Sequence, residues 1–215
     1  MNLRLIESFL LEYSEFRIKP TTTNSLVLAG DFQRELQFKD YAACKVAYSL
    51  SIQIPPDYPF TLPTIYESEE RIAKVPSNHI NPDGSFCLGS PIRLKLVLKK
   101  SSEFKIFFEN CILPYLYAVT INQITGEGFI FGELEHGDEG LISDFENLFH
   151  LKSSDGVYQM LKILGSRKKT ANRMMCPCGC NERVTKCDYF SQVIKMRRLF
   201  SRTEWKEQFE LIGGI

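Results

Sequence analysis

Four prolines stand within nine residues of one another: Pro55, Pro56, Pro59 and Pro63. Each fixes its own φ and removes a backbone donor, so neither a helix nor a central strand passes through this segment. The chain must run here as a stiff, irregular wall. It does so directly after Ala47-Tyr48-Ser49-Leu50-Ser51-Ile52-Gln53-Ile54, where Tyr48, Leu50, Ile52 and Ile54 alternate with Ser49, Ser51 and Gln53. That period of two is the mark of a half-buried strand. A strand ending in a proline wall is the fixed point around which the other elements arrange.

Three more strand-like pieces flank it. Leu26-Val27-Leu28 precedes Gly30-Asp31, then Leu36, Phe38 and Tyr41 alternate in part, and Pro63-Thr64-Ile65-Tyr66 follows the wall. Consecutive strands with short connections predict a four-stranded antiparallel meander rather than βαβ units. Upstream, Ile6, Phe9, Leu10, Tyr13 and Phe16 recur at helical spacing, predicting an amphipathic helix over 2–17 that Pro20 ends. Downstream, residues 90–124 are mostly helical, with Phe104, Phe107, Phe108, Cys111 and Ile112 on one face. Pro114 predicts a kink or a fresh start. Further helices are expected around 141–149, capped by Asp138, and around 155–164, with Gly165 as stop. The fold class is therefore α+β, with Tyr58 and Phe60 assigned to the core.

The candidate site lies in Asn78-His79-Ile80-Asn81-Pro82-Asp83-Gly84-Ser85-Phe86-Cys87-Leu88-Gly89. Asn81-Pro82-Asp83-Gly84 is dense in turn formers, so the backbone here is a loop. An imidazole (His79), an amide (Asn81) and a thiol (Cys87) fall within nine residues. A thiol on a loop can be exposed, and an exposed thiol can accept and pass on an acyl group.

Pro56-Asp57-Tyr58-Pro59-Phe60-Thr61-Leu62-Pro63, His79-Ile80-Asn81 and Cys87-Leu88 together resemble the ubiquitin-conjugating enzyme family. They stand at the places of its Pro-x-x-Tyr-Pro-Phe-x-x-Pro loop, its His-Pro-Asn motif (with Ile for Pro) and its acceptor cysteine. The short interval from His79 to Cys87 is similar to compact bacterial members found beside ubiquitin-like modifiers and activating enzymes. The resemblance covers roughly residues 1–150. It implies a UBC-like fold, an acyltransferase activity and Cys87 as the thioester carrier. It implies Asn81 as the amide that steadies the oxyanion and His79 as a loop organiser through ring hydrogen bonds. The implied partners are a ubiquitin-like modifier protein, a ubiquitin-activating-like enzyme and a lysine of a target protein. Defence against viruses is an expectation from the same resemblance alone. Asp83, Glu133 and Glu135 are candidates to orient or deprotonate the incoming lysine. Glu133 and His136, in the glycine-rich segment 126–140, are candidates for a place near the thioester.

The remaining signal is in the tail. Seven cysteines are an odd number, and four of them, Cys176, Cys178, Cys180 and Cys187, lie within twelve residues. That is not a secreted disulfide framework; it is the set of soft donors that a tetrahedral zinc site needs. Cys-x-Cys-x8-Cys resembles the SEC-C metal-binding motif, whose fourth ligand follows the third directly. Asp188 occupies that place, so the fourth ligand is Cys180, Asp188 or a residue elsewhere. Net charge is zero but unevenly spread, with 11 Lys and Arg against 5 Asp and Glu in 166–215, and 15 against 21 in 1–165. The division expected is a catalytic domain over 1–165 and a basic linker with a zinc-binding tail over 166–215, whose last helix carries Trp205 and Phe209. The basic tail admits nucleic acid as a further partner.

A hydrophobic fraction of 44% against 24% charged is that of a globular chain. No apolar run looks long enough to span a bilayer, and Met1-Asn2-Leu3-Arg4 lacks a signal-peptide pattern, so no membrane is expected and the expected compartment is the cytoplasm. Three rivals stand beside the conjugating enzyme: an inert binding module of the same fold, a cysteine hydrolase pairing Cys87 with His79 or His136, and a nucleic-acid binder acting through the tail.

Overall fold

A computed structural model describes residues 3–21, 24–131 and 138–213, apart from the side chains of Pro76 and Asp138. The chain divides into two units, Met1–Glu133 and Leu134–Ile215. The first is built on a four-stranded antiparallel sheet, β1 (Arg17–Lys19), β2 (Leu26–Leu36), β3 (Cys44–Ile54) and β4 (Thr64–Glu67), in sequence order. The fold is α+β, as the pattern of strands requires. Every second residue of β3, from Cys44 to Ile54, is buried. The register lines up Leu28, Ile52 and Ile65 across three strands, all of them buried on that face.

Two helices cover this face. One is α1 (Arg4–Glu12). Next in sequence is α2 (Pro91–Lys100), and the second covering helix is the long α3 (Phe104–Thr125). The ring of Phe108 is the hub: it lies 4.9 Å from Phe9, 4.7 Å from Tyr13, 5.8 Å from Phe16 and 5.7 Å from Phe32, mostly in edge or tilted geometry. Such pairs add directional attraction to the burial of large apolar area. A polar pin completes the contact. Tyr48, on the buried face of β3, donates to Gln123 Oε1 (2.9 Å) and lies 3.0 Å from Thr120 Oγ1 on α3.

Pro114 leaves its mark upstream of itself. Residues Phe108–Ile112 form a π-turn, in which the Leu113 N–H reaches back to the Phe108 carbonyl. A proline ring crowds the preceding turn and offers no donor to it, and one widened turn relieves both. The helix therefore continues without a break. By length and composition alone α3 is apolar enough to cross a bilayer, contrary to expectation, but 67% of its most apolar window is buried inside the protein.

Several other expectations are corrected. The first helix ends at Glu12 rather than 17, and β1 follows at once because Arg17–Lys19 pairs with Val27–Ala29 of β2. Phe16 is buried, but from the turn and not from a helix face. Gly30-Asp31 is not a break, since β2 runs through it for 11 residues. A Cβ at Gly30 would lie 2.7 Å from the Glu15 carbonyl oxygen and 2.8 Å from the Phe16 Cα, so glycine is there for close backbone approach. Phe60 is 75% exposed, whereas Tyr58 is buried against Phe104. Two successive turns, Tyr58 N–H to Pro55 and Phe60 N–H to Asp57, direct the two rings to opposite sides.

The second unit is helical: α4 (Asp138–Phe149), α5 (Ser154–Gly165), α6 (Lys168–Ala171), α7 (Phe190–Leu199) and α8 (Arg202–Leu211). The boundary between units places α4 and α5 with the cysteine segment. Asp138 lies inside α4 rather than before it, and α5 includes Gly165. The segment expected as a linker contains α6, whose Ala171 is fully buried. Trp205 of α8 is the core residue here, 5.8 Å from Phe149 and edge-on to Phe200 at 5.3 Å. A capping box, Ser201 with Glu204, starts that helix.

Replacing Gly30 with Ala should destabilise the first unit by about 1–3 kcal/mol, because the new methyl meets backbone rather than a movable side chain. Chemical denaturation, read as a lower midpoint at unchanged slope, checks this.

Candidate functional site

The turn Asn81-Pro82-Asp83-Gly84 closes a small hairpin. The Asn81 N–H donates to the Ser85 carbonyl (2.8 Å) and the Gly84 N–H to the Asn81 carbonyl (2.8 Å). Gly84 sits at φ 84°, a left-handed conformation that glycine adopts without strain. Ile80 then pairs with Phe86, and the Cys87 N–H donates to the His79 carbonyl at 2.7 Å. The second arm is joined to the sheet edge: Phe86 N–H donates to the Ile65 carbonyl (2.9 Å), and Ser85 bridges Tyr66. The Asn81 side chain meets that of Ser85, two residues before Cys87, while Ile80 pairs with Phe86. Phe86 is buried, 4.5 Å from the ring of Tyr115 on α3.

Cys87 is half-buried: neither enclosed in the core nor fully in solvent. The Asn81 amide is engaged within the hairpin, with Nδ2 donating to Ser85 Oγ (3.0 Å) and at longer range to the Phe86 carbonyl (3.4 Å). That second acceptor belongs to the residue immediately before Cys87. His79 is buried at φ 52°, its ring edge-on to Phe129 at 4.4 Å. Its backbone carbonyl receives the Cys87 N–H, so it holds the thiol-bearing arm through the main chain. Asp83 is exposed, and Ser85 donates to its Oδ1 from both hydroxyl (2.6 Å) and N–H (3.0 Å). These two bonds hold the Asp83 carboxyl below its ordinary value.

Helix α3 fixes the start of the hairpin. Tyr115 Oη donates to the Asn78 carbonyl at 2.8 Å, and burial pushes its own phenol well above the ordinary value. Asn122 donates to Asn78 Oδ1 (3.4 Å) and accepts from the Gly128 N–H (2.9 Å). Ser85, Asn78, Tyr115 and Asn122 thus support the site, and sequence reasoning assigned them no part in it. Glu133, Glu135 and His136, proposed near the thiol, lie outside the described residues.

In the second unit the four tail cysteines converge. The Sγ atoms of Cys176, Cys178, Cys180 and Cys187 all lie within 4.8 Å of one another, with 3.2 Å between Cys176 and Cys178 and 3.6 Å between Cys178 and Cys187. A tetrahedral ion bound at about 2.3 Å spaces its sulfurs about 3.8 Å apart, so the donor set fits a metal ion. The fourth position that the sequence left open is met by Cys180. Burial opposes ionisation of Cys178, but hydrogen bonds from Cys176, Cys180 and Cys187 outweigh it and bring that thiol to about 7. Burial pushes Cys176 the other way. The hydrogen bonds of its three neighbours thus favour the thiolate at Cys178.

The local fold explains the convergence. The Cys176 N–H donates to the Glu182 carbonyl (2.8 Å) and the Val184 N–H to that of Met174 (2.9 Å), bracketing a turn with Gly179 and Asn181 at positive φ. Helix α5 lies so close beneath that a Cβ at Gly156 would stand 2.7 Å from the Pro177 carbonyl oxygen. Gln159 Nε2 donates to the Met175 carbonyl (2.9 Å), and Tyr189 Oη to that of Phe149 (2.7 Å).

The fold and these two sites define an α+β protein with a thiol-bearing hairpin on its sheet edge and a four-thiol cluster among its later helices. No protein-family model, curated protein or solved structure matches the chain.

Substituting Ser85 with Ala should raise the Asp83 titration toward its ordinary value, read by carboxyl-carbon NMR. In the wild type the Ser85–Asp83 bonds should persist above the lowered pKa and be lost as pH falls through it. Adding a thiol-binding metal ion to the metal-free protein should raise amide-exchange protection around 174–190, and a chelator should reverse it, because a turn this small has little apolar core of its own.

Proposed function

We propose that this chain is an acyl carrier of the ubiquitin-conjugating type, with a UBC-like first unit. Cys87 takes the C-terminal acyl group of a ubiquitin-like modifier from a thiol of an activating enzyme and passes it to a target lysine. The single observation that carries the reading is the hairpin. It carries a half-buried thiol directly after the Phe86 carbonyl that a side-chain amide reaches, on an arm joined to the sheet edge.

In the first step the Cys87 thiolate attacks the thioester carbonyl on the partner. One C–S bond forms, another breaks, and the partner leaves as a thiolate. The two thioesters are similar in energy, so Cys87 needs access more than strong activation. In the second step a neutral lysine amine attacks the Cys87 thioester. Negative charge grows on the carbonyl oxygen, the C–S bond then breaks, and the amine loses its proton to solvent or a nearby carboxylate such as Asp83. An amide donor facing that oxygen contributes roughly 3 kcal/mol. The Asn81 amide can turn to it by releasing the Phe86 carbonyl, the longer of its two bonds, while keeping Ser85. His79 serves as an organiser of the arm that carries the thiol.

The thiol cluster is proposed to hold zinc, since four sulfur donors suit Zn2+ and not magnesium or calcium. Cys176, Cys178, Cys180 and Cys187 would be its ligands, and the ion would stabilise the fold of the turn. A second reading, an inert binding module, draws on the engagement of the Asn81 amide within its own hairpin.

The test combines the protein with a ubiquitin-like modifier, its activating enzyme and ATP, on gels with and without thiol reductant. A reductant-sensitive adduct should form, vanish in Cys87→Ala and become reductant-resistant in Cys87→Ser. Asn81→Ala should still charge but discharge to free lysine about 100-fold more slowly. Charging of Cys87→Ala would refute the enzyme reading, and a folded wild type that never charges would select the inert module. Elemental analysis should find about one zinc per chain.

A further inference from the structure

Helices α5 to α8 of the second unit enclose an open cavity of about 340 Å3 that neither the thiol hairpin nor the cysteine cluster uses. Its wall is cationic. Arg167 and Lys168 come from the turn into α6, Arg197 from the last turn of α7 and Arg202 from the first turn of α8, over a floor of buried Trp205 and Phe200. No aspartate or glutamate lines it. Among the described residues, none of these four cations forms an ion pair with a carboxylate. Like charges gathered around one cavity repel each other, and water alone screens them poorly where the walls are apolar.

Arg197 supplies a second, independent observation. Its Nη1 donates to Asn172 Oδ1 at 3.4 Å, while its Nη2 is buried with no hydrogen-bond partner. Buried donors are almost always partnered, and a guanidinium most of all. Burial also lowers its hold on the proton. An anion in the cavity would offset the mutual repulsion and draw on the guanidinium forks. The first turn of α8 adds little, because Ser201 and Glu204 already cap it.

We infer that this cavity binds the phosphate groups of a small phosphorylated ligand, of the diphosphate class. Four cations with no internal carboxylate suit an anion of charge two or more with several acceptor oxygens, which a monocarboxylate lacks. The volume is at the small end of ligand cavities and accommodates a diphosphate or a mononucleotide. The same phosphate chemistry occurs in a nucleic-acid backbone, and the test separates the two sources. The inference is independent of the thioester reading, since no residue of the hairpin takes part.

The experiment is calorimetric titration of the full-length protein with sodium pyrophosphate, alone and in competition with a short single-stranded DNA oligonucleotide, at fixed ionic strength. Pyrophosphate should bind saturably at one site per chain. The double variant Arg167→Gln/Arg202→Gln, at two exposed positions, should weaken it at least about tenfold at an unchanged melting temperature. Lys168→Gln should weaken it in the same direction and serves as the second variant if the double one melts early. Lys169→Gln/Lys186→Gln, outside the cavity, should leave it unchanged. Oligonucleotide that displaces pyrophosphate would identify a strand phosphate as the source; oligonucleotide that does not would identify a free ligand. The inference is overturned if pyrophosphate gives no heat beyond a chloride control. It is equally overturned if both double variants weaken binding alike, for then the charge acts as a diffuse surface.

Discussion

The first unit depends on one buried surface, the face of β3 covered by α1 and α3. Alternation along β3 supplies an unbroken apolar stripe, and Phe108 meets rings from α1, the turn after it and β2 at once. With the stripe covered, the direction of α3 is fixed, and so are Tyr115 and Asn122 near its far end. Those two side chains hold Asn78, where the hairpin begins. The placement of Cys87 is thus a consequence of core packing carried through one helix.

The hairpin uses one residue twice. Asn81 closes the turn through its main chain and steadies the second arm through its side chain. Ser85, which holds that side chain, is itself tied to Asp83 by hydroxyl and N–H.

The second unit solves a different problem. Its cysteine turn holds few apolar side chains, and its order rests on four thiols, on backbone bonds to Glu182 and Met174, and on the close approach that Gly156 allows. Excess positive charge in the same unit gathers at one cavity, where Arg197 is partly withdrawn from solvent.

Periodicity and turn chemistry made much of this legible. The β3 stripe, the turn at Asn81–Gly84, the buried Cys111 and the grouping of four cysteines all follow from local spacing, because neighbours along the chain determine them. Local spacing misled where a distant segment decides. Gly30 stood beyond the strand-like piece 26–28 but lies within β2 and answers to the backbone of Glu15 and Phe16; Phe16 looked helical but belongs to the approach to β1; Phe60 looked like core but is exposed beside two tight turns. Choosing Cys180 as the fourth thiol, Ser85 as the support of both Asp83 and Asn81, and Arg197 as a cation without a full set of partners required tertiary structure. Each depends on atoms far apart along the chain or on the direction of a side chain, and composition carries neither. What the sequence by itself determined was which segments must be strand or turn and where the thiols gather; what only the fold decided was which of their polar groups face one another, since hydrogen bonds and charges act through distance in space.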